Sequence, residues 1–367
     1  MLRARSCGVR PPGGDTVCSG RRLARIRCVS GRFAPSPTGD LHLGNLRTGL
    51  LAWLLARSED RGFLVRMEDL DRVTSSTDHE RSQLADLAAL GLDHDGLVVR
   101  QSDRFALYDD VIADLTAAGS VYPCWCSRRD VAAEIEAAAN APHGSTGHAD
   151  HSGLAGSDDV DVSTVEWIGE PVRAYPGTCR DLSNAQRAER EATGRPPALR
   201  LRAHDVVVEV HDRLWGTRRG LVDDVVLRRG DGVPAYNLAV VVDDHLQGVT
   251  QVVRGDDLLS STPRHVHLQR LLGFDTPQYV HVPLVLGADG ERLAKRHGAI
   301  TLSDVRERGL GPATVLRALA RSLGLDVDDR SETAVELLEA ADTFDLGRVP
   351  RVPVTLDEQL DLRRSPT

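Results

Sequence analysis

The sequence predicts an α/β protein built on a doubly wound nucleotide-binding fold, with a long interruption and a small helical appendage. Three observations predict it. A strand-like start at residues 31–33 runs through two prolines and two glycines into a helix, whose Leu43, Leu46, Leu50 and Leu54 share one face. An apolar strand at residues 62–67 ends in the acidic run Glu68-Asp69-Leu70-Asp71. Strand-like and helical runs follow again after residue 205.

At 367 residues the chain has room for two or three compact units. Its 41% hydrophobic and 27% charged residues describe a soluble globular protein. No apolar run approaches the ~18 residues of a membrane span. A net charge of −9 argues against broad, non-specific nucleic-acid binding, while leaving room for a local basic face. Six cysteines over this length make no disulfide scaffold, so the chain reads as cytoplasmic. It is read as a monomer, without membrane association.

Residues 1–30 stand outside the fold. They hold seven arginines, one acid (Asp15), a Pro-Pro-Gly-Gly break, and Cys7, Cys18 and Cys28. Such a start resembles an organelle transit peptide; a disordered tail or an upstream start codon is the alternative that the break at residues 11–14 favours. From residue 31, strand, Gly/Pro loop and helix together point backbone N–H groups and a helix dipole at an anion. His42 and Gly44 sit where loop becomes helix. The imidazole there can hydrogen-bond a phosphate, and the glycine lets a flat base approach the backbone. Ligands of open parallel sheets bind at the carboxyl ends of strands, which places Glu68 for a cationic group. Residues 77–80 read as a capping box, opening a helix with Leu84, Leu87 and Leu90 and a stop at Gly91. Residues 105–119 are a further amphipathic helix. Residues 31–119 are thus β-α-β-α-α, one half of a nucleotide-binding fold.

Residues 120–204 interrupt it. Cys124 and Cys126, one residue apart, can chelate a single tetrahedral metal, and Cys179 offers a third thiol. Three thiols fall one short of an all-cysteine site. Residues 138–163, rich in Gly, Asp, Ser and His and without periodicity, read as a disordered loop. Residues 205–210 and 223–229 are strands, with a turn at Gly230-Asp231-Gly232. Thr262-Pro263 opens a helix that Gly273 stops, and residues 279–286 are strand-like again. A charged loop follows, and it holds Lys295. Among 45 Lys and Arg residues this is the one lysine. Lysine acts on phosphate as a point charge, a role that arginine's rigid fork does not fill freely. Residues 301–345 make a helical appendage, with helices at 313–323 and 332–341, and 346–367 a polar tail.

Ala34-Pro35-Ser36-Pro37-Thr38-Gly39 with His42-Leu43-Gly44-Asn45 resembles the HIGH region of the class I glutamyl-tRNA synthetases. Arg292-Leu293-Ala294-Lys295-Arg296 resembles their KMSKS loop. Asn45 stands for the final histidine, and Arg292 and Ala294 for the first lysine and the first serine. The resemblance spans residues 31–325 and implies a class I synthetase Rossmann-type fold, with a connective insertion at 120–204 and the second half at 205–300. It implies an ATP site at His42, Gly44, Asn45 and Lys295, with His42 and Lys295 catalytic and Mg2+ bridging the phosphates. It implies a glutamate site at Arg32, Ala34, Ser36, Glu68, Tyr236 and Arg254. There Glu68 contacts the amino group, and Arg32 is best placed to read the side-chain carboxylate. In the glutamyl-queuosine branch of the family the cysteine pattern is Cys-x-Cys, then Tyr-x3-Cys. By that pattern Cys124, Cys126, Tyr175 and Cys179 are ligands of one structural zinc (Zn2+). His143, His148 and His151 are rival donors, and three packed, unliganded thiols are the alternative.

After Lys295 the chain is too short for the separate anticodon-binding domain of a full synthetase. It therefore resembles the truncated branch, whose members activate glutamate with ATP and attach it to queuosine in the anticodon of tRNA(Asp). Glutamate, ATP and the tRNA(Asp) anticodon loop are the partners this implies. Two alternatives stand beside it. One is a short glutamyl-tRNA synthetase charging a tRNA 3′ end. The other is a non-catalytic RNA-binding paralogue, which Arg292 and Ala294 favour and His42, Gly44 and Lys295 oppose.

Overall fold

A computed structural model describes residues 29–140, 166–168, 175–287, 300–340 and 344–355. The N-terminal tail up to residue 28, nearly all of the 138–163 loop with its three histidines, Lys295 with its loop, and residues 356–367 lie outside the described residues. Among the described residues no helix is long and apolar enough to cross a membrane.

The first strand, β1 (Ser30–Phe33), is buried at every position, as a central strand of a parallel sheet must be. The helix that follows, α1 (Leu43–Ser58), buries Leu43, Leu46, Leu50 and Leu54 as expected, and also Leu51, Trp53 and Leu55. A helix apolar all round is a buried helix, and α1 lies between the sheet and the C-terminal appendage. β2 (Gly62–Met67) runs parallel to β1.

α2 (Thr77–Ala89) begins one residue earlier than a Thr77 cap would allow. Ser76 is the cap, its hydroxyl accepting from Asp78 N–H at 3.1 Å. Glu80 does not close the box; it turns inward and accepts from the Arg100 guanidinium at 2.8 and 2.6 Å. A bidentate charged pair is worth more than a cap to a backbone N–H. Arg100 belongs to β3 (Val99–Arg100), a two-residue strand too short to show any alternation, and α3 (Phe105–Ala117) follows.

The interruption contributes β4 (Val121–Cys124), α4 (Arg128–Asn140), β5 (Glu166–Trp167), α5 (Asn184–Ala192) and β6 (Ala198–Leu201). Next come β7 (Val206–Asp212), β8 (Gly216–Val222) and β9 (Val226–Arg228). β4, β6 and β9 form a small antiparallel sheet, so this sheet takes a strand from beyond residue 204. β7 and β8 are a hairpin in the main sheet, in register from Val206↔Val222 to Asp212↔Gly216. β8 was not legible, because Gly216, Arg218, Arg219 and Gly220 read as loop until β7 supplies hydrogen-bond partners. α5 was missed for a related reason: it buries no residue and so carries no apolar face. The turn expected at residues 230–232 is present, with Gly232 at φ 87° and Arg229 N–H donating to Val233 C=O at 2.9 Å.

α6 (Tyr236–Leu246), β10 (Val249–Gly255), α7 (Thr262–Leu272) and β11 (Gln278–Val282) complete the main sheet and its cover. Pro263 lies in the first turn of α7, and Gly273 ends it at φ 68°. The sheet order is β3-β2-β1-β10-β11-β7-β8-β5. β1 and β10 are parallel neighbours, and the chain winds away from them in both directions. That junction is the switch point at which an open α/β sheet binds its ligand. The appendage holds α8 (Leu302–Glu307), α9 (Pro312–Ser322) and α10 (Ala334–Ala340). Arg47 of α1, 1% exposed, fastens it by donating to Pro283 C=O at 2.8 Å and to Ser322 Oγ and C=O at 2.9 and 3.1 Å. β12 (Val285–Leu286) pairs with β13 (Val354–Thr355), which brings the end of the described chain back to the cleft.

Candidate active site

At the carboxyl ends of β1 and β10 lies a cavity of about 470 Å³. The loop between β1 and α1 forms one wall and is held from three sides. Glu68 N–H donates to Pro35 C=O and Ser76 N–H to Pro37 C=O, both at 2.9 Å. Gln83 of α2 donates through Nε2 to Ser36 C=O at 3.0 Å and to Gly39 C=O at 2.7 Å. Gln83 was not singled out from the sequence. Its one signal is a polar residue beside Leu84 on the inward face of a helix.

His42 is the N-cap of α1. Its Nδ1 accepts from Asn45 N–H, and Asn45 Oδ1 accepts from His42 N–H, each at 3.3 Å. The acceptor role of Nδ1 puts the ring proton on Nε2, a donor in the cavity wall. Asn45, which departs from the family's histidine, therefore orients His42. Gly44 has a second reason to be glycine. A Cβ there would stand 3.0 Å from His42 Cε1 and 3.4 Å from Val285 Cβ.

Arg32, 4% exposed, donates from Nε and Nη2 to the two carboxylate oxygens of Asp244, at 3.3 and 3.5 Å. The same carboxylate accepts from Arg66 Nη1 at 2.8 Å. Burial pushes Asp244 up, and Arg32 and Arg66 more than reverse it, so it is held below the usual carboxylate range. Glu68 stands 3.5 Å from Arg66 Nη2. There burial outweighs the attraction of Arg66 and Arg32, and the carboxyl is raised.

Arg254 of β10, 5% exposed, is surrounded differently. Nε donates to His281 Nε2 at 3.0 Å. Nη1 donates to His265 Nδ1 at 3.1 Å and Tyr236 Oη at 3.3 Å. Nη2 donates to Thr262 Oγ1 at 2.9 Å and Leu258 C=O at 3.4 Å. All five acceptors are neutral. Arg32, Ala34, Ser36, His42, Gly44, Asn45, Glu68 and Arg254 all line this cavity, and Tyr236 bonds Arg254. The histidines around Arg254 carried no sequence signal.

The cysteines converge elsewhere, at the end of β4. Cys126 Sγ lies 3.6 Å from Cys179 Sγ, and Tyr175 Oη lies 3.3 Å from Cys124 Sγ and 3.7 Å from Cys126 Sγ. The three sulfurs all lie within 4.8 Å of one another. A zinc tetrahedron with Zn–S bonds of about 2.3 Å has edges of about 3.8 Å, so this donor set fits that ion. Burial pushes Cys126 up to about 12, with Cys124 adding to it. Cys124 goes down: burial raises it, but the Tyr175 hydroxyl and the Arg200 guanidinium outweigh that.

Residues 28–155 and 167–359 match the family model described as tRNA synthetases class I (E and Q), catalytic domain. A Glutamyl-Q tRNA(Asp) synthetase of Nocardia farcinica is 54% identical over 329 residues, covering 90% of this chain and 93% of that protein. Another, of Symbiobacterium thermophilum, is 46% identical over 339 residues, covering 89% and 96%. Glutamate--tRNA ligase 2 of Acidithiobacillus ferrooxidans is 40% identical over 344 residues, covering 90% of this chain but 64% of that protein. Among solved structures, a glutamate tRNA ligase of Elizabethkingia meningosepticum in complex with its amino acid superposes with a TM-score of 0.68 at 26% identity, over 90% of this chain and 67% of that one.

Proposed function

The chain belongs to the class I tRNA synthetases for glutamate and glutamine, and from that premise we propose that it activates glutamate with ATP and transfers it to queuosine in the anticodon of tRNA(Asp). It is a ligase of the aminoacyl-tRNA synthetase type. The observation that carries the proposal is one cavity in which the start of α1 and the buried cation of Arg254 face the same space. The first suits a polyphosphate, the second a carboxylate.

In this reading the α-carboxylate of glutamate attacks the α-phosphorus of ATP, an O–P bond forms, and pyrophosphate leaves. The protein supplies position and charge, with no covalent intermediate of its own. His42 Nε2–H and the loop N–H groups bind the phosphates. Lys295 neutralises the departing pyrophosphate, and Mg2+ would add charge neutralisation at the phosphates when bound. Glu68 takes the substrate's ammonium group, which restores its ionised form. Arg32 keeps its place in this reading beside the substrate's side-chain carboxylate, and Arg254, whose acceptors are all neutral, is the less compensated cation there. A hydroxyl of the queuosine cyclopentene ring then attacks the adenylate carbonyl, and AMP leaves. Cys124, Cys126, Cys179 and Tyr175 would hold one structural zinc, which supplies folding energy and no chemistry.

Queuosine as acceptor is supported by relatives that carry that name and are matched over nearly their whole length, and by the Cys-x-Cys and Tyr-x3-Cys pairs meeting in space. A base in a single-stranded loop is splayed out cheaply enough to reach a cleft. Labelled glutamate offered with queuosine-containing tRNA(Asp), and with the same tRNA bearing guanosine, tests it. Label is expected on the first alone and survives removal of the 3′ terminal adenosine. Label on the 3′ end would make the chain a short glutamyl-tRNA synthetase. Glutamate-dependent ATP–pyrophosphate exchange is expected without tRNA, and its absence under every condition would favour the non-catalytic paralogue.

A further inference from the structure

Three adjacent parallel strands of the sheet carry a chain of hydrogen bonds behind the cavity. Arg254 of β10 is in register with His281 of β11, and Asp212 of β7 pairs with Tyr279 of β11. Asp212 Oδ1 accepts Leu214 N–H and Trp215 N–H, both at 2.8 Å. Its Oδ2 accepts His281 N–H at 3.0 Å and His281 Nδ1–H at 2.7 Å. With Nδ1 committed as donor, Nε2 is a lone pair, and it faces Arg254 Nε. His265 is arranged likewise: Nε2–H points at Asn237 Oδ1 at 2.9 Å, leaving Nδ1 to accept from Arg254.

The two arginines of the cavity therefore differ in how their charge is met; all five N–H groups of Arg254 are engaged, and a carboxylate would displace a long contact such as Leu258 C=O at 3.4 Å. Arg32 meets the carboxylate of Asp244 directly. Arg254 meets lone pairs without charge, and the carboxylate nearest it along the hydrogen-bond chain stands one imidazole away. We propose that Asp212 is a specificity-determining positioning residue: through His281 it aims Arg254 with a neutral acceptor, so that the guanidinium keeps its charge for the carboxylate of the substrate. A carboxylate placed directly on Arg254 would neutralise it, and the cavity would then lose its reason to prefer glutamate over its amide. The burial of both histidines supports this. His281 is pushed down to about 4 by burial, against the pull of Asp212, and His265 is pushed well below its ordinary value by burial and by Arg254. Neither becomes a second cation against Arg254 at neutral pH. The inference rests on the reading that this cavity takes glutamate.

Three variants of the full chain test it, by titration calorimetry with glutamate and with glutamine and by glutamate-dependent ATP–pyrophosphate exchange. Thr262→Asp puts a carboxylate on Arg254 Nη2 at the first turn of α7, where a helix tolerates an acid. It is expected to weaken glutamate about 30-fold or more and to cut the preference for glutamate over glutamine about tenfold, with KM for ATP within about twofold. Asp212→Asn must keep its oxygen on Leu214 and Trp215, so its amide N–H groups face His281. That forces the ring proton to Nε2, donor against donor at Arg254, and KM for glutamate is expected to rise about tenfold. His281→Gln restores a neutral oxygen acceptor and is expected to stay within about threefold of wild type. Unchanged discrimination in folded Thr262→Asp, or His281→Gln as impaired as Asp212→Asn, would overturn the inference while wild-type exchange still upholds the activity. Wild type that binds glutamate in preference to glutamine but catalyses no exchange would break the functional reading and leave Arg254's role standing.

Discussion

In the cleft, buried charges are met by groups from other strands; in the cysteine cluster, the crowding groups are mostly thiols and a phenol. Asp244 sits under Arg32 and Arg66, and His281 and His265 frame Arg254, each brought from a separate element of the sheet or its cover. At the cluster, three thiols and a phenol converge, with the Arg200 guanidinium stacked on the Tyr175 ring at 3.7 Å. The difference teaches how each site depends on a ligand. The cleft keeps Asp244 paired before substrate arrives, while Arg254 has only neutral acceptors. The cluster would gain stability from an ion in place of the weak thiol contacts.

Breaking the cleft's own charge balance has the largest expected effect. Asp244→Asn leaves two buried guanidiniums without their shared carboxylate, a loss of about 3–5 kcal/mol. Urea unfolding measures it, and a loss under 1 kcal/mol would mean the cleft does not rest on these charges. Lys295→Ala should act on chemistry alone, lowering the activation rate by roughly 10²–10³ with glutamate affinity and unfolding midpoint unchanged. A rate within about threefold of wild type takes Lys295 out of the mechanism.

Cys124→Ser reverses that pattern. It should release the metal and cost roughly 2 kcal/mol of stability, or about 3 °C in melting temperature for a chain of this length, while KM for glutamate moves less than about threefold. Elemental analysis of protein purified without chelators decides the premise, since a folded, metal-free sample would return the site to packed thiols. The smallest effect is on pH. His281 is neutral in the folded protein down to about 4 but titrates at 6.5 when unfolded. Its contribution is therefore present in full above pH 6.5 and falls away as the pH drops toward 4. Asp86, raised to about 6 by burial, works in the opposite direction below that value. The readable quantity is thus a difference: His281→Gln should lose less stability than wild type between pH 6.5 and 4, and parallel curves would assign the slope elsewhere.

Much of this was legible in the chain. Leu43, Leu46, Leu50 and Leu54 announced α1, Thr262-Pro263 and Gly273 bracketed α7, and residues 62–67 read as the strand they are. Residues 34–45 marked the cavity wall, because a strand, a Gly/Pro loop and a helix start are local features. β8 and α5 were not legible, the first being polar until paired and the second buried nowhere. Ser76 took the cap expected at Thr77, since Glu80 had a partner in Arg100.

By itself the sequence determined the periodic elements, the Gly/Pro loop before α1, the family and the residue types at the cavity, all of which depend on near neighbours along the chain. Only the tertiary structure decided what those residues are worth. Arg32 and Arg254 are indistinguishable as letters, and they part company because α6 brings Asp244 to the first while β11 and α7 bring neutral acceptors to the second. Cys124 and Cys179 become one site because β4 and the chain around Tyr175 pack together. A charge or a thiol takes its function from neighbours within about 4 Å, and those neighbours lie anywhere from two residues to more than two hundred away in the chain.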